Sequence, residues 1–579
     1  MLKAYPRPNF TRENWTNLNG AWRFAFDDKD QGLKNQWEKD FPESRDIQVP
    51  YTYETKMSGI GEEAFHPVVW YQRVVDLAPF EGKMLLHFEG VDHEARVYVN
   101  GRYAGSHQGG YAAFTVDITP FALPGQNTLT VRVSDSDSCA QPRGKQRWRK
   151  ENFGCWYVQT TGIWRTVWLE NVPKVYLEDV KITPDIDTAS VHFVARVTGL
   201  EPGQTASLDC ALRFDGKPVA SQTVAVSGEF TSFTLFLTGS HDPWTIRLWH
   251  PDHPDLYEAR FTLQGEGLEE DSVTSFVGLR KIEIQGNQIL LNNRPIYQRL
   301  ILDQGYWQDS HLTPPDDEAF EKDLDLILKA GYNGLRKHQK TEDRRFLHLC
   351  DKKGVLVWSE MAATYAFNDQ AMNTFTKEWM EVVRQNYNHP SVITWTPFNE
   401  SWGVGDVLTN AEQQRFTQAI YFLTKAFDPM RPVIVNDGWE HTVSDILTLH
   451  DYEESGKAFA KRYADLPGLL ANQAPYNLHR YAMAHGFEYR GQPVIISEYG
   501  GIAFKDEHGW GYGNQVADEE AFIKRFDEIT AAIQNHPDIV GFCYTQVSDV
   551  QQEINGLVTE DRRPKVDFDR LSEINRRRR

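Results

Sequence analysis

Ser391-Val-Ile-Thr-Trp-Thr-Pro-Phe-Asn-Glu400 is a short apolar run that ends on a carboxylate. Pro493-Val-Ile-Ile-Ser-Glu498-Tyr-Gly-Gly501 repeats the pattern. Each reads as a buried parallel strand, and a carboxylate at the carboxyl end of such a strand faces the catalytic mouth of a barrel. Two of them, from different strands, can flank one bond. That suits glycoside hydrolysis, in which one carboxyl protonates the leaving oxygen and the other attacks the sugar carbon.

Around these two runs, strands and helices alternate from about residue 284 onward. Strands are predicted over 296–302, 332–338, 355–360, 392–400, 433–437, 446–452, 494–498 and 539–546. Between the first two, a helix near Asp316 to Ala330 carries Phe320, Leu324, Ile327 and Leu328 on one face and stops at Gly331. Eight strands in this rhythm predict a (β/α)8 TIM barrel over 284–579, with Glu400 closing the fourth strand and Glu498 the seventh. Residues 1–172 read as all-β. Leu85 to Val91 and Ala95 to Gly101 are short strands, Asn127 to Val133 alternates, and Asn100-Gly101 is a hairpin turn, so a jelly-roll β-sandwich is expected. Residues 173–283, with Val191 to Val197 and Leu256 to Leu263, have the length and punctuation of an immunoglobulin-like β-sandwich.

A net charge of −20 argues against nucleic acid and against an anionic membrane surface as partners. Trp and Tyr in a cleft stack on sugar rings, and the 17 Trp supply candidates for a small carbohydrate partner. Cys139, Cys155, Cys210, Cys350 and Cys543 are odd in number and form no CxxC pair, which fits free thiols in a reducing compartment. The N-terminus has no apolar leader, no run is long enough to span a bilayer, and a cytoplasmic location is expected. Arg576 to Arg579 reads as a solvated end. Homo-oligomer formation is left open.

The chain resembles glycoside hydrolase family 2, the β-galactosidase, β-glucuronidase and β-mannosidase family. Trp15-Thr-Asn-Leu-Asn-Gly-Ala-Trp22-Arg-Phe24 resembles the start of the family's sugar-binding domain, and Gly162-Ile-Trp-Arg-Thr-Val-Trp168 its closing signature. Asn399-Glu400 matches the acid/base motif and Glu498 the nucleophile. The resemblance implies a retaining, exo-acting β-glycosidase. Such an enzyme needs its two carboxyls about 5–5.5 Å apart. Negative charge from Glu498 is expected to raise the pKa of Glu400, which must hold its proton. Tyr452 matches a tyrosine that contacts the nucleophile. Arg336, ending the second strand, is expected to hold Glu498 ionised. Asn399 is a candidate for the sugar 2-hydroxyl and His338 for sugar or acid. Trp439, Trp402 and Tyr544 are candidate stacking walls, and Asp303 and Glu440 candidate hydroxyl ligands.

Three departures from the family bear on the sugar. The glucuronidases' Asn-x-Lys stretch reads Glu553-Ile-Asn-Gly556 here, so Asn555 replaces the lysine that would pair a uronic carboxylate. Thr364 and Ala366 stand where the magnesium-dependent β-galactosidases carry Glu and His, so no metal and no cofactor are expected; Trp156 replaces an Asp of the same enzymes. Arg336-Lys-His338 is one residue shorter than the usual Arg-x-x-His, with Gln339 in the His position. The expected activity is β-galactosidase on a neutral sugar. A β-galactofuranosidase or arabinosidase is the alternative within the class, and a catalytically silent carbohydrate-binding protein the alternative outside it.

Overall fold

The computed structural model describes residues 2–237, 246–477, 479–506 and 508–577; Arg578 and Arg579 of the basic end lie outside them. The first alternating strands build two antiparallel sheets. One runs in the order Trp15–Asn17, Val167–Val172, Lys83–Phe88, Phe114–Asp117. The other runs Arg45–Val49, Gly20–Phe26, Val68–Leu77, Gly125–Ser134, Glu94–Val99, Arg102–Gln108. Their inward residues, among them Leu86, Phe88, Leu169, Trp22, Val97 and Val131, close on one core. Asn100 and Gly101 both take positive φ, 51° and 74°, which matches the two-residue hairpin between Val99 and Arg102.

The next seven strands form a three-stranded sheet (Tyr176–Asp185, Ser190–Thr198, Phe230–Phe236) and a four-stranded sheet (Lys217–Val226, Ala206–Phe214, Tyr257–Gln264, Asp271–Val277). Phe193, Leu208, Phe261 and Val273 pack between them. Seven antiparallel strands in two sheets make an immunoglobulin-like sandwich.

After a short antiparallel sheet of Ile282–Gln285, Gln288–Leu291 and Arg294–Pro295, the strands from Gln298 onward are parallel. The first is Gln298–Asp303, the second Gly334–Lys337, the third Leu356–Glu360, and the fourth begins at Val392–Thr396. The sixth is Leu447–His450, the seventh Val494–Gly500 and the eighth Ile539–Thr545. They form one curled sheet in the order fourth, third, second, first, eighth, seventh, sixth. The fifth strand closes the TIM barrel and is shorter than predicted, only Asn436–Asp437. Pro397 has no N–H for a ladder and divides the fourth strand; its second piece, Phe398–Asn399, pairs with the fifth in parallel register. Helices expected from periodicity appear at Ala319–Lys329, Arg344–Lys353, Asp369–Asn386, Ala411–Phe427 and Glu519–Gln534. Asp343, Asn368, Asn410 and Asp518 start four of these by accepting an N–H of the first turn. Gly456–Tyr463, Leu466–Leu470 and Phe568–Asn575 are further helices. The first two carry Gly456, Pro467 and Gly468, which weaken the helical signal that the Ser455 and Asp465 caps restore.

The jelly roll docks on the barrel through buried charges. Glu89 accepts three bonds from Arg344, from Nη2 to each oxygen at 2.6 Å and from Nε at 3.0 Å, and one from Trp168 Nε1 at 2.8 Å. Arg165, inside the Gly162–Trp168 signature, donates to the Thr341 carbonyl beyond the second strand. These contacts hold the jelly-roll segment 143–157 over the barrel mouth.

Candidate active site

Glu400 leaves the fourth strand on a strained turn. Glu400 and Ser401 both have positive φ, 50° and 58°, a region that non-glycine residues rarely occupy. The fifth strand holds them there. Glu400 N–H donates to the Asp437 carbonyl at 2.9 Å, and Ser401 N–H to Asn436 Oδ1 at 2.9 Å. Ser401 Oγ donates to Glu440 Oε2 at 2.5 Å, so the Glu440 carboxylate, a candidate hydroxyl ligand, supports the turn instead.

Arg336 is the hub beneath the site. Its guanidinium is fully buried and reaches six side chains, His450 among them at 3.5 Å. Nε pairs with Glu360 at 2.6 Å; Nη1 pairs with Asp437 at 2.6 Å and Glu498 Oε1 at 2.8 Å. Nη2 donates to Asn399 Oδ1 at 2.6 Å and lies 3.1 Å from His338 Nδ1. Burial opposes the charge, but Asp437, Glu360 and Glu498 more than offset it, so the arginine pKa is raised. Burial opposes ionisation of Asp437 too, and Arg336 and His450 override it and lower the Asp437 pKa. For Glu360 burial wins, and its pKa is raised.

Glu498 is held on both oxygens. Tyr452 O–H donates to Oε2 at 2.5 Å, opposite Arg336 on Oε1. The Tyr452 ring stacks on Tyr512 with centroids 3.4 Å apart and planes 4° apart. Between the two glutamates lies His450, which the sequence reading passed over. Its Nδ1 is 2.8 Å from Glu400 Oε1 and 3.4 Å from Glu498 Oε2, and its Nε2 is 2.9 Å from Asp437. Burial would lower the imidazole pKa, but Glu498, Asp437 and Glu400 push it up to about 10. One oxygen of each glutamate and a nitrogen of His450 all lie within 4.8 Å of one another. Among the described residues this is the one cluster of His, Cys, Asp or Glu spaced to hold a cation. A metal ligand needs a free imidazole lone pair, and both ring nitrogens here face carboxylates that favour a proton.

The other predicted residues divide. Asn399 and His338 belong to the hub; the His338 pKa is well below its usual value, through burial first and then the charges of Lys145 and Arg336. Trp439 stands beside the site, its ring 6.5 Å from His450 and covered by Arg480 at 3.7 Å. Trp402 follows Glu400 and joins an aromatic wall with Trp156 and Tyr365, at 5.4 and 5.5 Å. Two readings are corrected. Tyr544 is fully buried against Tyr499 and Phe526, a core residue and no stacking wall. Asp303 is not free for a hydroxyl, because Lys337 Nζ at 2.6 Å and Gly305 N–H at 2.9 Å take its oxygens.

Jelly-roll residues complete the mouth. Gly144 has φ +58°, and a Cβ there would come within 2.3 Å of the Gln339 carbonyl, so glycine lets this segment lie against the end of the second strand. Arg143 N–H donates to Ala363 O, and Trp510 Nε1 to Gly154 O at 3.0 Å. Tyr157 O–H donates to Glu553, whose carboxylate also accepts from Asn555 Nδ2 at 3.0 Å and Gln304 Nε2 at 3.4 Å.

Three family models match in succession: the glycosyl hydrolases family 2 sugar binding domain over residues 15–173, the glycosyl hydrolases family 2 domain over 175–280, and the glycosyl hydrolases family 2 TIM barrel domain over 282–576. This chain belongs to glycosyl hydrolases family 2. The family 2 chain is similar to a putative β-glucuronidase of Formosa agariphila, 28% identical over 496 residues, covering 82% of the chain and 57% of that relative. It is also 28% identical to a β-galactosidase of Thermoanaerobacter pseudethanolicus, over 66% of the chain and 52% of that relative. The chain thus spans little more than half the length of these two curated relatives. In fold it is similar to a β-galacturonidase from Eisenbergiella tayi, with a TM-score of 0.78, 22% identity, and 100% and 98% of the two chains covered. A β-glucuronidase from Ruminococcus gnavus gives a TM-score of 0.79 at 18% identity, over 99% of each chain. No helix among the described residues is long and apolar enough to cross a membrane.

Proposed function

We propose that this chain is a retaining, exo-acting β-glycoside hydrolase in which Glu498 is the nucleophile and Glu400 the acid/base. One observation carries the reading: the two carboxylates approach within 4.8 Å, oxygen to oxygen. Retaining enzymes use a separation of about 5–5.5 Å, because the nucleophile must touch the anomeric carbon; inverting enzymes need roughly 6.5–9.5 Å to admit a water. Arg336 and Tyr452 hold one oxygen of Glu498 each and aim the carboxylate, as attack requires. Glu400, on its strained turn, is the group assigned to protonate the leaving oxygen. The segment 143–157 and the loop carrying Glu553 wall one side of the mouth, which favours a single terminal sugar. A silent binding protein would have no use for a buried guanidinium under one of its carboxylates.

The glycone has two readings. A neutral sugar, a β-galactoside first and a furanoside or arabinoside after it, is supported by Asn555, whose amide is committed to Gln546 at 2.7 Å and to Glu553. A uronide is favoured by a different cation in the same mouth, Lys145. Proton NMR of the first-formed product tests the reaction class: appearance of the β-anomer before mutarotation is expected, and the α-anomer first would overturn the assignment.

A further inference from the structure

Lys145 comes from the jelly roll, not the barrel. Its backbone carbonyl accepts from Tyr157 N–H at 2.8 Å, so Lys145 and Tyr157 lie side by side at the mouth. The side chain is nine-tenths buried. Among the described residues its one hydrogen-bond partner is the thiol of Cys155, at 3.2 Å. An ammonium has three donors, and a thiol is a weak acceptor, so two donors are unspent. Its Nζ lies 6.0 Å from the ring of Trp156, which packs 5.4 Å from Trp402 in the aromatic wall that follows Glu400, so the ammonium sits at the mouth; its charge also depresses the His338 pKa at the hub. Burial lowers its pKa, but Cys155 and Glu553 outweigh that and raise it.

The other cations of the mouth are spent. Arg336 serves Glu498, Asp437 and Glu360. Lys337 pairs with Asp303 and Glu342, and Lys340 with Glu342. Lys145 forms no ion pair with any described carboxylate. Glu553 acts on Lys145 through space and makes no ion pair with it; its oxygens accept from Tyr157, Gln304 and Asn555, so the unspent donors of the buried ammonium are left for an incoming acceptor.

We infer that Lys145, oriented by Cys155, is the specificity-determining residue of this site and that its ammonium binds the carboxylate of a β-linked uronic acid. This rests on the glycosidase reading above. It replaces the lysine missing at Asn555 with one delivered from another domain.

The test compares wild type with Lys145→Met on matched nitrophenyl β-galacturonide and β-galactoside, and on the matched glucuronide and glucoside. Wild type is expected to prefer the uronide of at least one pair. Lys145→Met should lose about 10- to 150-fold in kcat/KM on that uronide, the loss expected of one charge-assisted bond, and little on its neutral partner. Lys145→Arg should recover part of the preference. Calorimetry with free uronic acid and its parent hexose gives a readout independent of turnover: the acid binds more tightly to wild type, and Lys145→Met removes the difference. Wild-type preference for the neutral partner throughout, or an equal loss on both partners, overturns the assignment. If no β-glycoside is turned over, the glycosidase reading fails, and the binding comparison still decides Lys145.

Discussion

Tyr452→Phe isolates one bond. The variant removes the O–H that reaches Glu498 Oε2 at 2.5 Å and keeps the ring that stacks on Tyr512. Arg336 at 2.8 Å still anchors the other oxygen, so Glu498 stays in position. A hydrogen bond to a charged group contributes about 1.5–3 kcal/mol. That contribution is not constant along the reaction. Glu498 loses its charge as it forms the glycosyl ester and regains it as water releases the sugar. The Tyr452 bond therefore weakens in the first step and strengthens in the second. Without it the covalent intermediate is stabilised relative to free enzyme, and its hydrolysis slows by roughly 10- to 150-fold. With a nitrophenyl substrate, kcat should fall by that factor, KM should fall with it, and a burst of nitrophenol equal to the enzyme concentration should precede the steady state. A fall in kcat/KM as large as the fall in kcat, with no burst, would refute this role for the tyrosine.

Glu400→Gln should slow poor leaving groups by about 10²–10⁴-fold and spare glycosylation by nitrophenyl substrates; a loss independent of leaving-group pKa would remove Glu400 from the acid role. His450 links stability to pH. Its pKa rises from the ordinary 6.5 to about 10 on folding, so its contribution is full below pH 6.5 and is lost as pH climbs toward 10. Between pH 7 and 9 that loss is about 2–3 kcal/mol; urea unfolding should show wild type losing this much more than His450→Gln, and parallel pH curves would contradict it. EDTA should leave activity unchanged, since both His450 nitrogens are engaged by carboxylates and Thr364 and Ala366 offer no strong ligands; a loss that magnesium restores would show a metal site.

The barrel was legible because its strands are continuous apolar runs that end on charged residues, and its long helices carry clear apolar faces. Glu400, Glu498, Arg336 and Tyr452 were legible for the same reason, each closing or following a strand. His450 carried a signal that went unused. It lies two residues before Tyr452 at the end of the sixth strand, and period-two alternation turns both residues to the same side. Asp437 likewise ends the fifth strand. Tyr544 misled because residues near the end of a barrel strand face either the mouth or the helices, and this one faces Phe526. Asp303 misled because the lysine that fills it, Lys337, comes from the neighbouring strand and looked free in sequence. Lys145 and Cys155 carried no signal. Their importance depends on how one domain docks on another, through Gly144 and the Glu89–Arg344 pair, and no local pattern encodes that.

The central claim is that Glu498 forms a covalent bond to the sugar. Incubation with 2-deoxy-2-fluoro-β-glycosyl fluorides of the galactosyl and galacturonyl series, followed by peptide mass mapping, tests it directly. A 2-fluorine slows both steps, and the good leaving group keeps the first step faster than the second. The account predicts one added glycosyl group, on the peptide that carries Glu498 and on that residue. Turnover of the matching nitrophenyl glycoside with no adduct, or an adduct on Glu400, would contradict it.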